Sequence, residues 1–240
     1  MKKSLLITFM GFVCIELVLL CLILFASSSA VNILEFSSIV VAFAFSLVFI
    51  CDNTKVILTQ IALFFTVLAD LFLEIVNPMI QVAAMVAFSI VQLLHFSRLF
   101  LELSTKKWKL INLFIRLGLI IVIEITTFII LKEKMNFLSA ISMFYITNLL
   151  LNIVLSFFEF KKSPLFAFGL LLFLGCDIFV GLQMANGVFI NIPADSILYK
   201  IIFVPFNIAW LCYLPSQVLI STSVINLNKN TYNQPIDKNL

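Results

Sequence analysis

Eight apolar runs, each close to the length that crosses a bilayer, follow one another along this chain. They cover residues 5–25, 33–50, 56–76, 79–101, 110–131, 136–157, 164–182 and 198–222. A helix rises 1.5 Å per residue, so about 20 apolar residues span the roughly 30 Å of membrane hydrocarbon. A soluble alternative lacks material for a polar skin. Only 11% of the 240 residues are charged, against about 25% in an ordinary soluble domain. The expected fold is therefore all-α: one polytopic membrane domain over residues 1–225 with about eight transmembrane helices, then a polar, disordered tail over 226–240.

The first run has two readings. Lys2-Lys3, an apolar stretch and ASSSA (26–30) imitate a secretory signal. The stretch is longer than a usual signal core and carries Glu16 near its middle, so it reads as a retained span. Asn77-Pro78 marks the sharpest turn, between the third and fourth runs. With the N-terminus cytoplasmic, Lys2, Lys3, Lys55, Lys106, Lys107, Lys109, Lys161, Lys162, Lys229 and Lys238 lie inside. Only Lys132, Lys134 and Lys200 lie outside. That bias supports an even number of spans with both termini cytoplasmic. The net charge of +3 sits in short loops, which argues topology and no nucleic-acid partner.

Charged and amide side chains inside the runs mark inward faces, because hydrocarbon penalises them. Thr59, Thr66, Asp70, Glu74 and Asn77 form one stripe, and Gln81, Phe88, Gln92 and His95 a second. Ser142, Tyr145, Asn148, Asn152 and Ser156 form a third, and Asn207, Trp210, Tyr213, Gln217 and Ser221 a fourth. Glu16, Arg116, Glu124 and Asp177 add single charges. Counted from the inner ends, Asp70, Glu124 and Asp177 fall roughly 20 Å deep, with Asn207 near the same level. Gln92, His95 and Tyr213 fall nearer the middle or inner half. Some of these groups serve as interhelical glue. The carboxylates suit either acid–base chemistry or proton-coupled transport, and periodicity does not choose.

Other chemistries find no foothold. Cys14, Cys21, Cys51, Cys176 and Cys212 form no CxxC pair, and HExxH, GxSxG and P-loop signatures are missing from the sequence. His95, the lone histidine, reads first as a hydrogen-bonded core residue.

The third and seventh runs share a pattern, TVLADLF around Asp70 and FLGCDIF around Asp177. Ala69-Asp70, AFSIVQLLHF (87–96), GLLLFLGCD (169–177) and YLPSQVLI (213–220) occur in order. In these segments the chain resembles the YhhN family, the lysoplasmalogenase-like eight-helix membrane proteins. It departs from the family pattern at Ala69 (Gly), Gln92 (His) and His95 (Tyr), and no Lys-Pro pair stands near Ile33. The resemblance implies hydrolysis of the vinyl ether of a lysophospholipid-like substrate, without metal or cofactor. Asp70 and Asp177 would be the catalytic pair. Glu74, Gln92, His95, Glu124, Asn207, Tyr213 and Gln217 would line the pocket. The expected location is the cytoplasmic membrane of a bacterium. A small proton-coupled or lipid-handling transporter, or a non-catalytic membrane protein of the same fold, are the alternatives.

Overall fold

A computed structural model describes residues 3–25, 30–49, 52–76, 80–187, 190–204 and 206–232. Its described elements are helices. They are α1 (Lys3–Phe25), α2 (Val31–Leu47), α3 (Thr54–Asp70) continuing as a π-helical stretch (Leu71–Val76), and α4 (Gln81–Glu102). There follow α5 (Lys106–Leu131), α6 (Phe137–Phe158), α7 (Pro164–Ala185), the short α8 (Ile197–Ile202) and α9 (Ile208–Tyr232). Among the described residues, seven helices are long and apolar enough to cross a membrane, and the apolar α2 is shorter, at 17 residues. The protein is an integral membrane protein of the helical class. Cys51, the Asn77-Pro78 turn and most of ASSSA lie outside the described residues.

The helix starts follow from local chemistry. Asn53, Thr105 and Asn136 each accept from a backbone N–H of the first turn of α3, α5 and α6, and Pro164 opens α7. Inside the helices Thr59, Thr66, Ser89 and Thr127 turn their hydroxyls back on the carbonyl four residues earlier. This satisfies them where water is scarce.

Two expectations are corrected. The run at 198–222 is not one continuous helix: the short α8 stops at Ile202, and the membrane-length α9 starts only at Ile208. Pro205 sits in this run; proline has no N–H to donate and disfavours helix in the residue before it. The segment after 225 is not an unstructured tail from its start, because α9 runs on to Tyr232. Leu227 is buried with Phe12, Phe45 and Val56, and its carbonyl accepts from Asn53 Nδ2 at 3.2 Å. Residues 233–240 lie outside the described residues.

α9 is the hub, touching α1, α2, α3 and α7. Gly169, which has no side chain, lets α7 lie directly against α9. A Cβ there would stand 2.7 Å from Ile220 Cγ1 and 3.1 Å from the Ser216 carbonyl. The other intimate pairs are α3 with α4 and α4 with α6. α5 sits at the edge, packed chiefly against α6, and buries only Arg116 and Thr127.

Candidate functional site

The inward polar groups do not share one chamber; they separate into three nodes. The first joins α2, α3, α6, α7 and α9. Asp70, 2% exposed at the end of α3, accepts from the Tyr213 hydroxyl at 2.7 Å. Asp177 on α7, half-buried, accepts from the Tyr145 hydroxyl at the same distance. Phe173 packs against both tyrosines, 5.3 Å from the Tyr213 ring and 6.4 Å from Tyr145. Phe88 and Trp210 flank the set. Tyr145 and the Cys176 thiol each lie within electrostatic reach of both carboxyls. The two Asp–Tyr pairs thus belong to one aromatic-walled cluster.

Glu74 also belongs here, in an unexpected way. Directly after Asp70 the helix widens to i→i+5 hydrogen bonding over Leu71–Val76. This turn packs against α2, where Glu74 and Glu35 are electrostatic neighbours. Asn207, just before α9, donates to Glu35 Oε1 at 2.9 Å, and Asn32 Nδ2 donates to the Glu74 carbonyl at 3.1 Å. Among the described residues, no three His, Cys, Asp or Glu side chains are grouped to hold a metal ion.

The second node is central. Gln92 on α4 accepts from Asn152 Nδ2 at its side-chain and main-chain oxygens, 3.0 and 2.8 Å away. Asn152 and Asn148 accept from Arg116 at 2.6 Å each. The third surrounds Arg98, which is wholly buried. Its Nη1 donates to Thr59 and Ser223, its Nη2 to Ser163, and its guanidinium lies 3.7 Å over Phe166. Glu102 Oε1 is 4.0 Å from Arg98 Nε. His95 packs edge-on against Phe166, its Nδ1 buried without a partner.

Of the predicted residues, Asp70, Glu74, Asp177, Asn207 and Tyr213 therefore come together. Gln92 and His95 do not join them. They sit successively further along α4 and bond or pack into the other two nodes. Glu124 is carried by the peripheral α5, with Oε1 buried and unpartnered. Gln217 is buried on α9, one turn beyond Tyr213, and donates to Ser216 Oγ at 3.3 Å. Sequence reasoning missed Glu35 altogether and left Tyr145 and Arg98 out of the site. The signal for Glu35 was present, a carboxylate within an apolar run. It went unread because the second run shows no polar stripe. A cavity of about 670 Å³ opens elsewhere, between the first halves of α5 and the last turns of α6.

No protein-family model, curated protein or solved structure matches the chain.

Proposed function

We propose that the protein is a membrane-embedded hydrolase of the lysoplasmalogenase kind, cleaving the vinyl ether of a lysophospholipid-like substrate at Asp70 and Asp177. The observation that carries this reading is the pair of carboxyls, Asp70 buried and Asp177 half-buried, each accepting from a tyrosine hydroxyl at 2.7 Å, with Phe173 against both tyrosine rings. Vinyl ether cleavage begins when an acid protonates the β-carbon of the vinyl group, giving an oxocarbenium ion. Water adds to the cationic carbon and loses a proton, and the resulting hemiacetal splits into aldehyde and alcohol. One protonated carboxyl supplies the proton, while an ionised carboxyl opposite stabilises the cation. Tyr213 and Tyr145 hold these carboxyls in place, and the aromatic walls exclude bulk water. Glu35 and Glu74 form a proton-holding pair beside Asp70.

In this reading α2 is the eighth span, and both chain ends face the cytoplasm of a bacterial cell. Purified protein given lysoplasmalogen should release fatty aldehyde, and Asp70→Asn or Asp177→Asn should lower turnover by about 10²–10⁴-fold. Folded wild-type protein that releases no aldehyde would overturn it.

One observation favours a second reading, a proton-coupled transporter. Helix α3 widens into a π-turn immediately beside Asp70, a distortion frequent at functional sites, and intramembrane carboxylates serve the proton relays of transporters. Uptake into proteoliposomes driven by a pH gradient, with no aldehyde formed, would select it.

A further inference from the structure

The short helix α8, between α7 and α9, is docked on one side and open on the other. Gln183 Nε2, in the last turn of α7, donates to the Ile202 carbonyl at 2.9 Å, and Ile202 is 1% exposed. Ser196 starts the helix by accepting from the Tyr199 N–H at 3.1 Å, and the Tyr199 and Phe203 rings lie 4.5 Å apart. The open side is apolar. Ile197 is 77% exposed, and Leu198, Ile201, Phe203 and Phe206 are each between 40% and 48% exposed. From 186 to 207 the only charged residues are Asp195 and Lys200. An apolar surface of this kind marks a contact with membrane or protein. Position decides between them. Helices α7 and α9 are of membrane-crossing length, and α8 is fixed where α7 ends, so its open side continues the lipid-facing surface of the spans. Its six residues rise about 9 Å, too little to cross.

The same end of the bundle leads to the acids. Asn207, next to Phe206, is exposed yet donates to Glu35 Oε1 at 2.9 Å. Asp177 lies eight residues before the end of α7, about 12 Å along the helix.

We propose that α8 is embedded in the lipid leaflet at this end as a non-spanning helix, and that a lipid substrate enters the acid cluster from that leaflet, past Asn207. The leaflet contact stands on the exposed face alone; the entrance rests on the hydrolase reading. Ile197, Ile201 and Phe203 meet acyl chains, while the exposed Lys200 extends its ammonium to the headgroups.

Spin labels test the contact in liposomes of the full chain. In a background without native cysteines, labels on Ile197→Cys and Ile201→Cys should collide with oxygen more than with a water-soluble nickel chelate. A label on Asp195→Cys should do the reverse. Chelate access at 197 and 201 equal to that at 195 would overturn the contact. So would low access to both reagents, which would put a second copy or another protein on this face. The entrance is tested with the double variant Ile197→Ser, Ile201→Ser. It should raise KM for long-chain lysoplasmalogen in vesicles about tenfold with kcat unchanged, and leave KM for a short-chain, water-soluble vinyl ether as it was. A wild-type KM for the long-chain substrate, or an equal rise for the short one, would overturn the entrance. If folded wild type releases no aldehyde, the entrance falls with the hydrolase reading, and the labels, which need no turnover, still decide the contact.

Discussion

Asp70 and Arg98 show how differently a buried charge behaves according to its partners. Asp70 is held at one oxygen by Tyr213, and the hydroxyl orients the carboxyl without neutralising it. On the proposed hydrolase reading, Tyr213→Phe should leave the fold intact and lower turnover by about tenfold, as expected for one lost hydrogen bond to a group that takes part in the reaction. Unchanged aldehyde release would show that the tyrosine plays no part in positioning. Arg98 instead satisfies three hydroxyls from α3, α9 and the turn before α7 at once. Arg98→Met strands those hydroxyls together with the Glu102 carboxylate and should cost about 3 kcal/mol or more, seen as a lowered melting temperature in detergent. Arg98→Lys should not rescue it, because an ammonium cannot reproduce the planar fork.

Among the elements, α7 and α9 depend on what is missing from their contact. Gly169→Ala puts a methyl 3.1 Å from the Ser216 carbonyl and 3.2 Å from the Ile220 nitrogen. Both are backbone atoms that move only if the helices separate. The expected loss is about 1–3 kcal/mol. Gly118, on α5, has nothing within 4 Å of such a methyl, so Gly118→Ala should be neutral or stabilise by up to about 1 kcal/mol through helix propensity. Equal effects of the two on the melting temperature would contradict the close packing. The widening after Asp70 belongs to this scale too. Sequence periodicity places Asp70 and Glu74 on one face of a regular helix; the widened turn gives them different neighbours, Tyr213 for one and Glu35 for the other.

At the scale of the molecule, lysine placement makes a claim that the packing does not test by itself. In a background without native cysteines, single cysteines at Lys107 and Lys134 should label from opposite sides with a membrane-impermeant thiol reagent, and Lys55 should behave like Lys107. Labelling of 107 and 134 from the same face would remove the orientation and the eight-span count with it. The unequal packing of the bundle also matters here. α9 touches four helices while α5 leans on one, so the aromatic-walled acid cluster sits in the tight part and the open groove in the loose part.

The sequence alone settles that this chain is a helical membrane protein and which run holds each helix, except where the last run breaks. Length and apolarity are local properties, and the bilayer converts them directly into spans. It also marks the carboxylates of α3 and α7 as inward, because hydrocarbon leaves them nowhere else to face. Partnership is different. That Tyr213 meets Asp70, that Glu35 meets Glu74, and that Gln92, His95 and Glu124 stand away from them depends on the rotation and register of one helix against another. Those are set by the summed packing of contacts such as Gly169 against Ile220, which no single stretch of sequence encodes.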